Sequence, residues 1–377
     1  LVFMPVVVIV TIFTLAIAVG FFVTLRYFAR RIVALTLPPV FKPVLDWRPQ
    51  ENTIRLPLDA QTRRPGEYGL WWDDRTHHAR VGQILHIDES AMTIERELLT
   101  PYDAVQPSRV EWTGQVFKTP VDLGYPFVEP TLTTVHGSFP AWHFQGDGSN
   151  WVIHVHGLRA TRLSPLRGVP AFQELGYHSL VVSYRGDSVD GHPSPYTSST
   201  LGMQELSILD EAITYARSHG AKRILLMGWS MGGGMALLAS ERGVLKGAID
   251  GLVLVAPTSD WGQTILHGAQ QARVPAWVAE TVMFALSHPR LCRALGADAP
   301  IDFSVLDWTV PAGRVVVPTL VLHSPGDAEV PIGQSRQLAV RNERVIVREI
   351  ADADHTLEWN RSPDEVETAI KRWVAEL

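Results

Sequence analysis

From about Phe127 onward the chain repeats one rhythm: a short apolar strand, a turn, then an amphipathic helix. That rhythm is the sequence form of a mostly parallel sheet with helices on both faces, because parallel neighbours need a crossover and both sheet faces must be covered. Strands are expected at Trp151–Val155, His178–Tyr184, Arg223–Met227, Gly251–Val255, Thr319–His323 and Val345–Ile350. Helices are expected over Met203–His219, Met231–Glu241, Ile332–Val340 and Pro363–Glu376. A stretch rich in Trp, Leu and Ala, about 259–312, interrupts the rhythm with apolar residues at helical spacing, and reads as a helical cap over the carboxyl edge of the sheet.

Between the third of these strands and the helix after it stands Gly228-Trp229-Ser230-Met231-Gly232. A strand turning sharply into a helix holds the serine in strained backbone geometry, and the flanking glycines let neighbouring backbone come close. Ser230 is therefore the expected nucleophile. His156-Gly157-Leu158-Arg159 ends an earlier strand, where a loop can offer backbone N–H groups to a developing oxyanion, and Leu158 and Met231 are the expected donors. Arg159 and Arg162 read as solvated loop charges, with contact to an acidic substrate group as the rival reading. His154 and His156 share a strand face and read as packing, since no third ligand at zinc spacing lies near.

In this kind of sheet the acid and the base follow the nucleophile in chain order. Asp327 lies in His323-Ser324-Pro325-Gly326-Asp327-Ala328-Glu329-Val330-Pro331, just past a strand, and His355 lies just past the next one. An imidazole there can take the serine proton while the carboxylate orients it. Asp260, Asp352 and Asp354 are the rival acids. His77 and His78, beside Asp73 and Asp74, read as a surface loop rather than a metal site. No metal or cofactor is expected.

These motifs carry a resemblance. From about Val128 to Leu377 the chain resembles the α/β-hydrolase superfamily, especially its membrane-associated single-pass members and prolyl-oligopeptidase-like esterases. The residues concerned are His156 to Arg159, Ser183-Tyr184-Arg185-Gly186-Asp187-Ser188, Gly228 to Gly232, the acid loop from His323, and Asp352 to His355. Where the family often has His-Gly in the acid loop, this chain has His323-Ser324. The resemblance implies an α/β-hydrolase fold and hydrolysis of a carboxylic ester or related acyl bond. Peptidase and thioesterase chemistry, or a membrane-bound scaffold that has lost its chemistry, are the alternatives. The scaffold reading is the weaker, because every catalytic position is filled by a competent residue.

Ahead of this domain, Leu1 to Leu25 carries no charge and is long enough to cross the roughly 30 Å hydrocarbon core of a bilayer. It is expected to be a transmembrane helix (1–25), with a cleaved signal ending near Ala16-Ile17-Ala18 as the rival. Arg26, Arg30 and Arg31 follow, which by the bias of basic residues places the rest of the chain on the cytoplasmic side. A juxtamembrane linker (26–46), punctuated by Pro38, Pro39 and Pro43, leads to a β-rich module (47–126) and then the hydrolase-like domain (127–377). Such an anchored chain, with its apolar cap, is expected to act on a small-molecule or lipid acyl substrate. The net charge of −6 gives no basic face for nucleic acid, and the single cysteine, Cys292, gives no disulfide framework.

Overall fold

The computed structural model describes residues 3–103, 105–187, 194–309 and 314–377, with the backbone alone for residues 3–7 and 9. Ser188 and the end of the cap interval at 310–312 lie outside the described residues.

The apolar N-terminal run forms one helix, α1 (Phe3–Val33). It continues eight residues past Leu25, because Arg26, Arg30 and Arg31 are good helix formers and one face stays apolar through Ala29 and Val33. The expected linker at 26–46 is thereby corrected. Its first part is helix, and its last part supplies β1 (Phe41–Pro43) and β2 (Asp46–Arg48) to the β-rich sheet. Those two strands join β3 (Thr53–Pro57), β4 (Tyr68–Trp72), β5 (His77–Asp88), β6 (Thr93–Leu99) and β7 (Arg109–Thr113). The seven run in the order β1-β7-β4-β5-β6-β3-β2, each pair antiparallel. Aromatic and β-branched residues alternate inward, so Trp47, Ile54, Leu56, Tyr68, Leu70 and Trp72 form its core.

At its heart the Arg96 guanidinium is fully buried and donates to the carbonyls of Thr62, Arg64, Gly66 and Gly82. With no carboxylate among these partners, burial lowers its pKa to about 10. The side chain ties the loop at 62–66 to the sheet.

The second sheet holds β8 (Phe127–Val128), β9 (Thr131–Thr134), β10 (Gly137–Phe144), β11 (Asn150–Val155), β12 (His178–Val182), β13 (Arg223–Trp229), β14 (Gly251–Val255), β15 (Thr319–His323) and β16 (Val345–Glu349). Its order is β16-β15-β14-β13-β11-β12-β10-β8, with β9 paired to β10. Strands β11 to β16 are parallel, and β10 is antiparallel to β12. Side chains alternate between faces: Trp151, Ile153 and Val155 enter one core, Val152 the other. Helices α3 (Ser207–Ser218), α4 (Met231–Arg242) and α8 (Gly333–Arg341) cover the first face. The second is covered by α2 (Val169–Gln173) and α10 (Pro363–Ala375), the latter following the short α9 (Glu358–Arg361).

Between β14 and β15 the cap appears as α5 (Trp261–Gln271), α6 (Ala276–Ser287) and α7 (Leu291–Leu295). The end of α1 packs against α6 and α7, and Leu25, Ala29 and Val33 are buried in the same core as the sheet. The chain order reverses at β11, since β12 lies on one side of it and β13 on the other. In an open sheet of this kind the carboxyl ends at such a reversal frame a crevice where ligands bind.

Candidate active site

Ser230 sits where β13 turns into α4, with φ 51° and ψ −117°, a backbone conformation that costs a side-chain-bearing residue about 1–3 kcal/mol. The packing around it explains the glycines. A Cβ at Gly228 would overlap the Gly232 carbonyl oxygen, and one at Gly232 would overlap the carbonyl oxygens of Val155 and His156. Trp229 lies buried beneath the turn. The turn is also tied to the next strand, as Ser230 N–H donates to Val255 O at 2.9 Å and Thr258 N–H donates to Ser230 O at 3.1 Å.

Three side chains expected from different parts of the sequence meet here. Ser230 Oγ lies 2.8 Å from His355 Nε2, and His355 Nδ1 lies 2.6 Å from Asp327 Oδ2. Asp327 Oδ1 accepts from the backbone N–H groups of Glu329 and Val330 at 2.8 and 2.9 Å. Burial alone would raise the pKa of Asp327, but the hydrogen bonds from His323 and His355, the His355 charge and the Val330 amide together hold it well below the usual carboxylate range. For His355 burial works the other way, lowering the pKa, and the Asp327 carboxylate outweighs it and raises the imidazole to about 9. A strong base stands within hydrogen-bond reach of a hydroxyl.

On the opposite side of Ser230, a Cβ at Gly157 would lie 3.1 Å from Ser230 Cβ and 3.7 Å from Met231 N. The 157–158 segment therefore runs beside the start of α4, whose first amides have no partner within the helix. The loop is braced from the Ser183-to-Asp187 segment. His156 stacks on Tyr184 at 4.0 Å, and its Nε2 lies 2.8 Å from Asp187 Oδ2. Tyr184 Oη donates to the carbonyls of His156 and Gly157 at 2.8 and 3.1 Å.

The rival acids are engaged elsewhere. Asp260 caps α5 by accepting from Gln263 N at 2.9 Å, Asp354 pairs with Arg64 at 2.9 Å, and Asp352 approaches Arg361 at 4.0 Å. The reading of Arg159 and Arg162 as merely solvated charges is corrected. Arg159 Nε donates to Ala34 O at 3.1 Å and its Nη2 donates to Arg31 O, which fastens the end of α1 to this loop, while Arg162 pairs with Glu129. His154 is fully buried as packing. His78 is buried against Trp71 rather than exposed on a surface loop. Among the described residues no group of three or more His, Cys, Asp or Glu could hold a metal ion.

Several residues at the site carried no signal that sequence reasoning could use. His323 Nε2 lies 3.1 Å from Asp327 Oδ2, and its Nδ1 is 2.7 Å from Ser335 Oγ. Thr258 Oγ1 lies 3.4 Å from Ser230 Oγ. Glu358 is fully buried, accepts from Ser324 N at 3.1 Å, and has its carboxyl pushed up to about 7 by burial.

Ser230 and His355 open into a cavity of about 480 Å³, within the range usual for small-molecule sites. Trp261 and Ile265 of α5 and Val278 and Val282 of α6 line it on the cap side. Phe28, Arg31 and Ile32 of α1 line it as well, so the N-terminal helix forms part of the site.

Residues 134–369 match the family described as "Alpha/beta hydrolase family". Residues 43–113, which hold the seven-stranded sheet from β1 to β7 almost entirely, match a "Domain of unknown function (DUF8805)". No curated protein matches the chain. Among solved structures, the Pyrococcus furiosus esterase Pf2001 is similar, with 19% identity and a TM-score of 0.53 over 68% of this chain and 94% of that one. An esterase from Thermogutta terrifontis (21% identity, TM-score 0.45) covers 66% of this chain and 98% of its own. A predicted CIB-like hydrolase from Thermoplasma acidophilum (18% identity, TM-score 0.44) covers 67% and 100%. The likeness to the first is one of fold.

Proposed function

The chain belongs to the alpha/beta hydrolase family, and from that premise we propose that it is a membrane-anchored serine hydrolase that cleaves a carboxylic ester or related acyl bond through an acyl-enzyme on Ser230. The observation that carries this reading is the relay in which Ser230 Oγ, His355 and Asp327 stand within hydrogen-bond distance in sequence.

In the first half-reaction His355 Nε2 takes the hydroxyl proton as Ser230 Oγ bonds to the carbonyl carbon. The carbonyl oxygen becomes an oxyanion held by the backbone N–H groups of Leu158 and Met231, each such donor contributing about 3 kcal/mol to the transition state. When the intermediate collapses, the C–O bond breaks and the alcohol leaves with the proton from His355. Water then repeats the sequence, with His355 again as base, and the acid is released. Asp327 keeps its negative charge throughout and steadies the imidazolium. The reaction calls on no cofactor.

The 24 residues from Val10 to Val33 are long and apolar enough to cross a membrane. The arginines at the end of α1 favour a cytoplasmic position for the rest of the chain.

The test uses the full chain in detergent or nanodiscs, treated with a fluorescent fluorophosphonate beside Ser230→Ala. Labelling of the wild type alone, with turnover of p-nitrophenyl esters lost in the variant, is the expected result. Equal labelling of the two would overturn the reading.

A further inference from the structure

Beside α5, two further helices wall the cavity. From α1 come Phe28 and Ile32, and from α6 come Val278 and Val282. The helices pack side by side, and Phe21 of α1 stacks on Trp277 of α6 with ring centroids 6.1 Å apart. Phe21, Leu25, Phe28 and Ile32 follow one another at helical spacing and share a face of α1. An apolar stripe thus runs from the exposed length of the helix into the cavity that holds Ser230.

What surrounds this stripe on the outside is equally ordered. Trp277 and Phe284 of α6 are 55% and 67% exposed, next to an α1 on which Ile12, Phe13, Leu15, Ile17 and Val19 are exposed. A monomeric surface in water rarely keeps such a contiguous apolar patch. Tyr27 and Trp277, both 55% exposed, have the amphipathic rings that settle at the border between hydrocarbon and headgroups. Arg30, Arg31, Arg290 and Arg293, exposed at the ends of α1 and around α7, fit anionic headgroups.

We propose that α6 and the end of α1 lie in the bilayer interface, and that the cavity is an acyl-chain site filled directly from the bilayer, its substrate a long-chain fatty-acid ester carried by a membrane lipid. The proposal rests on the serine-hydrolase reading of Ser230. The lipid's acyl group passes to Ser230 Oγ, the bond to the lipid oxygen breaks, the headgroup-bearing alcohol leaves with the proton from His355, and water frees the fatty acid.

The experiment reconstitutes the full chain in vesicles of phosphatidylcholine and phosphatidylglycerol, and compares p-nitrophenyl decanoate with butanoate in wild type and Ile32→Trp. Filling the cavity is expected to lower the decanoate-to-butanoate ratio of kcat/KM by about tenfold or more, the discrimination that a few methylenes in an apolar pocket give. Fluorophosphonate labelling is run in parallel. An unlabelled wild type removes the hydrolase reading and the proposal with it, whereas a labelled Ile32→Trp with an unchanged ratio overturns the acyl site alone. Should Ile32→Trp fail to fold, Phe28→Ala tests the opposite sense: the acyl-length optimum should move to longer chains, and an unmoved optimum overturns the site. For the route, a double Trp277→Ser and Phe284→Ser variant should lose about tenfold in turnover of a bilayer-embedded fluorogenic fatty-acid ester relative to dispersed butanoate, a loss typical of a misplaced substrate. An equal ratio in variant and wild type overturns entry from the bilayer.

Discussion

Arg64 of the β-rich module pairs with Asp354 at 2.9 Å, one residue before His355. It is not an isolated tie between the two sheets. Asn360 Nδ2 donates to the carbonyls of Glu67 and Gly114 at 2.7 and 3.1 Å, and Glu67 N–H donates to Asn360 O at 2.8 Å. Gly66, at φ +112°, lies so close that an added Cβ would overlap the Asn360 carbonyl oxygen. From the hydrolase side Arg167 donates to Thr356 O at 3.0 Å and to Asn360 Oδ1. The loop that presents His355 is held between the two sheets.

Replacing Arg64 by Met should separate position from stability. Both partners are about a quarter to a third exposed, so the pair itself is worth at most about 1 kcal/mol. The midpoint of thermal unfolding should move little. kcat should fall by about three- to tenfold with KM nearly unchanged, as expected when a reacting group loses its alignment. An Arg64→Met enzyme with wild-type kcat would show that the module does not act on His355.

The ionisation of His355 sets a pH profile. Because Asp327 raises its pKa, the imidazole holds its proton at pH values where an ordinary histidine has lost it. As the base must be neutral, kcat/KM should rise with pH through a midpoint above the ordinary value of about 6.5. Asp327→Asn removes the cause of the shift. Its midpoint should move downward, and kcat should drop by about four orders of magnitude, by analogy with the same change in a serine protease. A profile unchanged by Asp327→Asn would separate that carboxylate from the base.

Glu358 provides a stability test with a definite sign. Its folded-state pKa is raised to about 7 from 4.5, so between those values the unfolded chain releases the proton more readily. Stability is therefore lost as pH rises from about 4.5 toward 7, on the order of 3 kcal/mol in all. Glu358→Gln keeps the side-chain oxygen for Ser324 N and should be more stable than wild type at pH 8 but not at pH 4. Thermal melts at the two pH values read the difference directly.

Arg96→Met should be far more damaging than its distance from Ser230 suggests. It leaves the carbonyls of Thr62, Arg64, Gly66 and Gly82 without their buried donor, at a cost of about 3–5 kcal/mol. Because the freed loop carries both Arg64 and Gly66, the loss of stability should be accompanied by a fall in kcat. Urea denaturation with matched kinetics checks both.

The three side chains that meet at the candidate site, Ser230, Asp327 and His355, could be picked out in the sequence because each is marked by local geometry. The glycines at 228 and 232 announce a strand-to-helix turn, and Asp327 and His355 follow strands whose β-branched and leucine-rich runs are easy to read. What escaped depends on contacts between distant segments. His323 is an ordinary strand-end residue until β15 places it beside Asp327. The charge-free run ends at Leu25, yet α1 extends to Val33, because a helix is bounded by its backbone bonds and not by its first arginine. Nothing near Arg64 or Asp354 says that they meet, as 290 residues separate them and only the packed sheets bring the loops together.

The oxygen that Asp327 offers to His355 is shared with His323, while the other accepts two backbone amides. A buried carboxylate stripped of its only partner would be a heavy liability. Here the negative charge of Asp327 is held from three directions besides His355: the His323 imidazole and the amides of Glu329 and Val330. The carboxylate is therefore anchored independently of the imidazole it faces, and a change at His355 leaves the acid loop with its own supports.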